Sequence, residues 1–396
     1  MKQYIFILII FLTSLNIAGQ SAFQWANVCG HPYYSETKSL LDVDQDGNVI
    51  MAGNFIDTAI FGADHVISAG FTDIFMAKYD PSGELLWLTG DGGQDYEYLH
   101  GIASDEEGFF TCGTFYGTSN IGGNTFASFG SQDIFIARYD HDGNFIWARH
   151  IGSPKTDYAN AVDADSYGNI VITGHYYDSI AFPDTTVYAM SASDIFLASF
   201  DADGNMIWVV TLGGSSSDQS HSISCDNSGN ILVTGSFFND ITIADTMLST
   251  TDPTGVFMAK FNNSGDLLFA QQLDGNGLIA RSYASFDSEG NFFHAGNFTD
   301  QLSLGPYYFN AGPFNIDVYI SKYNAMGDLL WADHGHSPGS DQLVAIHSGP
   351  LNDLYLTGHY LDTIFFGDIE LKYTLCCGSS EIFIVRYTED GTAIWG

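Results

Sequence analysis

The chain has 396 residues, and 47 acidic residues against 11 basic ones give it a formal net charge of −36. Nucleic acids and anionic membranes are poor partners for such a chain, because both bind basic surfaces. Divalent cations, basic partners and neutral glycans are compatible with this charge.

The first twenty residues, 1–20, have the pattern of a secretory signal peptide. Lys2 supplies the positive start, Tyr4 to Leu12 form an apolar run too short to span a bilayer, and residues 16–20 contain small residues suited to cleavage. No later segment of the sequence is apolar enough to cross a membrane. We therefore expect an exported, monomeric protein without a membrane span, located outside the cell or at its outer surface.

Residues 21–396 form a repeat domain with a period of about 61 residues. The repeat is anchored by similar octapeptides such as DIFMAKYD, which begin at Asp73, Asp133, Asp194, Gly255, Asp317 and Glu381. Successive anchors are 60, 61, 61, 62 and 64 residues apart. Each unit ends near a large aromatic residue: Trp87, Trp147, Trp208, Phe269, Trp331 and Trp395. Such a regular period indicates one supersecondary unit copied many times.

Each unit contains four strand-like stretches. In the third unit they are residues 158–165, 169–176, 194–201 and 205–212. Short turns that begin with Asp or Asn and contain Gly link the first stretch to the second and the third to the fourth, as in tight hairpins. Four strands per repeat predict an all-β fold, a β-propeller with four-stranded blades.

The combined pattern of anchor, turn, Trp and Gly-x-aromatic closely resembles the seven-bladed β-propeller repeat (SBBP) of secreted bacterial proteins. The resemblance covers roughly residues 22–396 and implies a propeller in an extracellular or cell-surface setting, without implying one activity. The sequence has six complete repeats plus one extra fourth strand at Trp25. Two alternatives follow: a seven-bladed ring truncated before its last blade, or a six-bladed ring with a redundant first strand.

The longer links of a four-stranded meander emerge on one face, and we expect ligand contacts there. One candidate set is the middle residue of Gly-x-aromatic, which is polar but varies between repeats: Asn54, Thr114, His175, Ser236, Asn297 and His359. A second set comprises acids in the links between repeats: Asp95, Asp157, Asp218 and Asp341. The alternatives are that the polar residues are solvated strand ends and that the recurring acids cap turns.

The first turn matches the front half of a calcium loop of the D-x-D-x-D-G type, with Asp42, Asp44, Asp46 and Asn48 as candidate ligands. The distal Glu of such loops is missing, and the segment is also an ordinary hairpin turn. Calcium is therefore the one candidate cofactor.

Basic residues recur at one place on the third strand of five repeats, where we expect their charged ends to lie near turn carboxylates: Lys78, Arg138, Lys260, Lys322 and Arg386.

The sequence contains no catalytic motif, and we name no catalytic residue. The leading hypothesis is a non-catalytic binding or adhesion module for an extracellular protein or a glycan. The alternatives are a polysaccharide lyase or hydrolase with its site at the central channel, and an architectural repeat in a larger surface protein. Differences between repeats should distinguish these hypotheses, because residues that recur in every repeat serve the scaffold.

Overall fold

The computed structural model describes residues 29–30, 39–252, 254–275, 277–372 and 380–396. The predicted signal peptide and the extra strand at Trp25 lie outside these residues. Regular secondary structure in the described residues consists of β-strands alone. The described residues contain no helix with the length and apolarity needed to cross a membrane.

The described residues form 33 strands. In chain order the strands are β1 Cys29–Gly30, β2 Ser39–Val43, β3 Val49–Phe55, β4 Thr58–Phe61, β5 Asp64–Ile67, β6 Asp73–Tyr79, β7 Leu85–Asp91, β8 Glu97–Ser104, β9 Gly108–Ile121, β10 Asn124–Asp140, β11 Phe145–Ile151, β12 Asp157–Ala164, β13 Ile170–Tyr176, β14 Ser179–Ala181, β15 Thr186–Tyr188, β16 Asp194–Phe200, β17 Met206–Gly213, β18 Asp218–Cys225, β19 Ile231–Phe237, β20 Asp240–Ile243, β21 Thr246–Ser249, β22 Gly255–Phe261, β23 Leu267–Gly275, β24 Leu278–Phe286, β25 Phe292–Leu304, β26 Tyr307–Tyr323, β27 Leu329–His336, β28 Gln342–Ser348, β29 Leu354–Tyr360, β30 Ile364–Phe366, β31 Ile369–Leu371, β32 Glu381–Tyr387 and β33 Ala393–Trp395.

The chain divides into two compact units. The first unit comprises the described residues up to Ala164 together with Ile180–Thr186 and Ala202–Asn205. The second unit comprises Asp165–Ser179, Val187–Asp201 and the described residues from Met206 to Gly396.

The first unit contains two four-stranded antiparallel sheets, with strand orders β2-β3-β6-β7 and β8-β9-β10-β11. Each sheet follows the order of the chain, as a propeller blade does. The second and third strands of the first sheet, β3 and β6, are buried along their whole length. Both faces of these strands are largely apolar because both faces are covered by neighbouring layers.

The second unit repeats the same meander. Strands β13, β16 and β17 follow one another and are extended by β20 and β21. Strands β28, β29, β32 and β33 form a separate four-stranded sheet. The fourth and fifth repeats belong to one ten-stranded sheet with the order β18-β19-β22-β23-β25-β26-β27-β30-β31, in which β24 also pairs with β25.

Two of the predicted blades are therefore joined. The described residues form five sheets of four or more strands rather than six separate ones. The junction is the pairing of β23 with β25, through Asp274 with Ser303 and Gly275 with Leu302. Strand β25 has 13 residues and extends past its own meander to pair with the fourth strand of the preceding repeat. The prediction of six complete, separate blades is wrong on this point.

The recurring basic residues do pair with turn carboxylates, which confirms their predicted scaffold role. The pairs are Lys78–Asp44 at 2.8 Å, Arg138–Asp105 at 3.0 Å, Lys260–Asp226 at 3.7 Å, Lys322–Asp287 at 2.9 Å and Arg386–Asp353 at 2.5 Å. These basic side chains are almost completely buried, except Arg386, which is 24% exposed. Charges so far from water require such partners.

The aromatic residue at the end of a repeat fastens the next repeat. Trp87 Nε1 and Lys78 Nζ both donate to the carbonyl of His141, each at 3.1 Å. Trp147 Nε1 donates in the same way to the carbonyl of Ala202, at 2.8 Å. The acceptor is in each case the residue after the first Asp of the turn between the third and fourth strands. This bond explains why the tryptophan recurs.

Candidate functional site: an aromatic surface on the first unit

The predicted polar residues of Gly-x-aromatic mostly lie inside the protein. All except His359 are buried. Asn54 Oδ1 accepts a hydrogen bond from the amide of Leu99 at 2.7 Å, and Asn297 Oδ1 accepts one from the amide of Leu343 at 3.3 Å. The amides belong to the first strand of the next repeat, so these side chains connect neighbouring repeats. Their role as ligand contacts remains a prediction.

The predicted acids of the links form buried carboxyl pairs. Asp157, Asp218 and Asp341 are completely buried, and Glu97 rather than Asp95 occupies the corresponding place in the second repeat. Each lies beside the anchor Asp of the preceding repeat: Asp73 with Glu97, Asp133 with Asp157, Asp194 with Asp218 and Asp317 with Asp341. In the fourth repeat the anchor position is Gly255.

Burial, reinforced by the second carboxyl group, raises the pKa of these acids. The pKa is raised to about 7 for Glu97 and Asp157 and to about 8 for Asp218 and Asp341. A carboxyl group moved away from water favours its neutral form, and a neighbouring negative charge adds to this preference. These acids are thus interior groups that hold protons near neutral pH, and they are not exposed for ligand contact.

Three of these acids, Glu97, Asp157 and Asp218, follow five residues after a glycine that close packing requires. A Cβ atom on Gly152 would lie 2.3 Å from Asp133 Cγ, and one on Gly213 would lie 2.2 Å from Asp194 Cγ. We expect Gly152→Ala to lower the free energy of unfolding by about 1–3 kcal/mol, since overpacking displaces a buried carboxylate. Denaturant unfolding measures this loss. Gly90→Ala is the control, because its Cβ would have no neighbour closer than 3.5 Å; equal losses in both variants would contradict the packing argument.

The candidate calcium loop is a hydrogen-bonded turn. Asp44 Oδ1 accepts from the amides of Asp46 and Asn48, at 3.0 and 2.8 Å, and Asp44 Oδ2 lies 2.8 Å from Lys78 Nζ. Asp42 accepts hydrogen bonds from the amides of Val43 and Ser104 instead. Among the described residues, no group of three or more His, Cys, Asp or Glu is arranged to hold a metal ion. The lysine ammonium occupies the charge position that a cation would take.

Four aromatic side chains form a cluster that the sequence analysis did not identify. We call Phe71, Tyr96, Tyr98 and Tyr116 the aromatic surface. Phe71 and Tyr96 are stacked, with ring centroids 4.8 Å apart and an interplanar angle of 7°. Tyr98 stacks on Tyr96 at 6.3 Å, and Tyr116 meets both tyrosines edge-on at 6.2 and 6.4 Å. Phe71 is 55% exposed and Tyr96 is 38% exposed, so the stack is open to solvent.

Backbone hydrogen bonds hold these rings in place. The amide of Phe71 donates to the carbonyl of Asp95 at 3.2 Å, and the amide of Tyr116 donates to the carbonyl of Tyr96 at 2.9 Å. Asp95 Oδ2 accepts from the amide of Thr118 at 3.0 Å. Three links are thereby tied together: the segment before β6, the link before β8, and the end of β9. The predicted binding residue Asp95 lies here, in a positioning role.

A chain of polar side chains continues from the aromatic surface. The Tyr116 hydroxyl donates to Gln132 Oε1 at 2.9 Å, and Gln132 Nε2 donates to Thr114 Oγ1 at 2.6 Å. His100 Nε2 is 2.9 Å from the same Thr114 oxygen. The predicted residue Thr114 is therefore at the centre of this network. The combination of stacked rings and oriented polar groups suits a ligand with apolar faces and hydroxyl groups.

One feature of the sequence indicates this site. Tyr96 corresponds to Thr156 in the third repeat and to Ser217 in the fourth, and Phe71 corresponds to Ser131. An aromatic residue in the link is thus a difference between repeats. It was not recognised because Phe71 and Tyr116 are distant in sequence and their proximity depends on the fold.

Comparison with known proteins supports the fold but not a family. No family model matches the chain. An uncharacterized WD repeat-containing protein of Acanthamoeba polyphaga mimivirus is 22% identical over 322 residues, which is 64% of this chain and 23% of that protein. Its repeat type and the sheet order described above together support a β-propeller fold. The regulatory protein FlaEY of Caulobacter vibrioides is 25% identical over 144 residues, or 35% of this chain and 15% of that protein. The chain thus spans under a quarter of the length of each relative.

Similar solved structures are distant. A calcium-binding protein, regucalcin, from Agrobacterium tumefaciens has a TM-score of 0.33 and 13% identity, with 73% of this chain and 78% of that chain covered. Trypanosoma rangeli sialidase has a TM-score of 0.40 and 9% identity, with 89% of this chain and 54% of that chain covered. Similarities this low carry no argument about function.

Proposed function

We propose that this protein is an exported, non-catalytic binding module that recognises a glycan through the aromatic surface. The observation that carries the proposal is the exposed stack of Phe71 on Tyr96 with two further tyrosines beside it. Aromatic rings of this kind pack against the apolar faces of sugar rings, while neighbouring polar groups bond the hydroxyls. A neutral glycan also suits a protein with a net charge of −36.

A glycan fits these residues better than a protein partner does. Protein interfaces are typically centred on an apolar patch that excludes water. Here the rings carry tyrosine hydroxyl groups, and the buried Gln132 and Thr114 fix the hydroxyl of Tyr116 by a chain of hydrogen bonds. The completely buried Glu97 has no access to a bound ligand, so the proposal assigns it no catalytic role. Export and the cell-surface location rest on the signal pattern of residues 1–20 and are part of the proposal.

The proposal is tested by screening the recombinant chain and the Tyr96→Ala variant on a glycan array. We expect the wild type to bind a set of glycans that the variant binds about tenfold or more weakly. The variant loses about 1 kcal/mol from stacking and also the apolar area that the ring would bury against the sugar. Tyr188→Ala is the matched control, since Tyr188 is 72% exposed and lies in the second unit. Glycan signals that persist in Tyr96→Ala, or cleavage of a bound polysaccharide, would contradict the proposal.

The same array tests a calcium requirement. Lys78 Nζ lies 2.8 Å from Asp44 in the candidate calcium loop, so we expect EDTA to leave the glycan signals unchanged. Loss of signal on chelation, and its return with calcium, would instead assign calcium to the binding site.

A further inference from the structure

The first repeat contains a cavity at the end of its third and fourth strands. The cavity has a volume of about 200 Å³ and is lined by Phe55, Val66, Ala69, Asp73, Gly90 and Asp91, among others. It lies in the first unit, and none of its lining residues belongs to the aromatic surface. Phe55 and Val66 supply apolar walls, and Asp73 supplies a carboxyl group.

The second repeat fills the same place with a histidine. Gly90 pairs with Phe75 across the sheet, and His150, 60 residues later, pairs with the corresponding Phe135. The His150 ring is stacked at 4.3 Å on Phe129 and lies 5.1 Å from Phe115. Its Nε2 is 2.5 Å from Asp133 Oδ2. In the second repeat the chain thus provides its own planar nitrogen group, held between aromatic walls and an aspartate.

The first repeat keeps the aspartate but lacks the imidazole. Asp73 corresponds to Asp133 and accepts a hydrogen bond from the amide of Ala69 through Oδ2, at 2.5 Å. In the second repeat, Asp133 Oδ2 accepts a hydrogen bond from the amide of Phe129, at 2.7 Å, and also lies 2.5 Å from His150 Nε2. Asp73 is only 4% exposed, and its Oδ2 keeps the amide contact while Gly90 stands where the imidazole would be. A bound donor would supply the second hydrogen bond that His150 supplies to Asp133.

The neighbouring position on the strand also differs between repeats, but its side chain lies on the opposite face of the sheet from Gly90. Asp91 stands where later repeats have Ile151, Leu212 and Leu273. It accepts hydrogen bonds from the Tyr139 hydroxyl, at 2.5 Å, and from the amide of Gly122, at 3.0 Å. The Asp91 carboxyl group therefore contacts the second repeat, and the charge available to a ligand in the cavity is that of Asp73.

We propose that this cavity is a binding site for a planar nitrogen cation of the imidazolium or guanidinium type, which donates a hydrogen bond to Asp73. The ligand takes the place that the His150 side chain occupies in the second repeat. A cavity of about 150 Å³ lined by apolar residues can hold benzene, so this volume is sufficient for an imidazole ring. The cation comes either from a free small molecule or from a histidine or arginine side chain of a partner.

The test is calorimetric titration of the wild-type chain at pH 7 with methylguanidinium and with imidazole, and with neutral pyrazole as the isosteric control. Blocked histidine and arginine amides are titrated in parallel, and their binding would identify a side chain as the source of the cation. Binding of the free probes alone would identify a small molecule. We expect one site for the cations and at least tenfold weaker binding of pyrazole.

Two substitutions, each of which places the residue of one repeat at the matching position of the other, make the test specific. Gly90→His should fill the cavity with the chain's own imidazole and abolish binding, whereas Gly90→Ala should retain it, since a Cβ there has no neighbour closer than 3.5 Å. His150→Gly should create a second site for the same probes. If Gly90→His fails to fold, Asp73→Asn keeps the volume, removes the charge, and should weaken binding at least fivefold. No cation binding to the wild type, equal binding of pyrazole, or unchanged binding in both Gly90→His and Asp73→Asn would overturn the proposal.

Discussion

The melting temperature of this protein should fall as the pH rises from about 6.5 to about 8.5. The cause is the set of buried carboxyl groups whose pKa is raised by burial: to about 7 in Glu97 and Asp157, and to about 8 in Asp218 and Asp341. A raised pKa means that the folded state binds the proton more tightly than the unfolded chain does. The resulting stabilisation is complete below the unfolded pKa of about 4 and is lost as the pH passes through the folded value.

The loss of unfolding free energy is several kcal/mol, because each unit of pKa difference corresponds to about 1.4 kcal/mol and four groups contribute. The pH range begins at 6.5 because buried histidines also change the stability at lower pH. Burial lowers the pKa of His175 and His221 to about 4 and that of His294 to about 3, so these histidines remove stability only as the pH falls below about 6.5. Above that pH the carboxyl groups act alone among these seven groups.

Scanning calorimetry across pH measures the effect, and one variant assigns it. Asp218→Asn cannot ionise, so its melting temperature should fall less between pH 6.5 and 8.5 than that of the wild type. Asp64→Asn, which changes an exposed carboxyl group, should follow the wild-type curve. A wild-type melting temperature that stays constant or rises over this window would contradict the assignment of protonated carboxyl pairs to the interior.

Replacing Lys78 should cost about 3 kcal/mol of unfolding free energy, since removal of one partner leaves a buried charge uncompensated. Lys78 Nζ is 2.8 Å from Asp44 Oδ2, and the two side chains are 5% and 1% exposed. The same ammonium also donates to the carbonyl of His141 in the next repeat. Lys78→Met therefore removes a contact within one repeat and a contact between two repeats.

Denaturant unfolding of Lys78→Met, Asp44→Asn and the double variant measures the coupling between the two groups. The double variant should lose less than the sum of the single losses. Lys155→Met is the control, because Lys155 is exposed, and its effect should stay within about 0.5 kcal/mol. Similar losses for Lys78→Met and Lys155→Met would show that the turn ion pairs are dispensable for the scaffold.

Much of the fold could be predicted from sequence because it depends on local chemistry. The Asp-to-Gly turns, the alternating strands and the pairing of Lys78 with a turn carboxylate all follow from residues that recur in register. The joining of β23 to β25 could not be predicted in this way. It depends on two backbone pairs between β23 and β25, and the second repeat keeps a separate sheet although its strands β9 and β10 have 14 and 17 residues.

The candidate site was less predictable, for physical reasons. Asp95 was predicted as an acid of the links and Thr114 as the middle residue of Gly-x-aromatic. Asp95 lies beside the aromatic surface and Thr114 is buried behind it, and their role as ligand contacts stays a prediction. The rings themselves come from three separate segments, and their contact follows only from the fold. The cavity at Gly90 is still harder to predict from the sequence, because it is indicated only by the absence of a side chain. Only comparison with His150 in the folded second repeat makes the missing group recognisable.

The most direct test of the glycan-binding proposal is titration calorimetry of a glycan selected on the array, with the wild type, Tyr96→Ala and Tyr188→Ala. We predict that Tyr96→Ala binds at least tenfold more weakly, while Tyr188→Ala, in the second unit, binds like the wild type. Equal affinity of all three proteins for the glycan would contradict recognition through the aromatic surface.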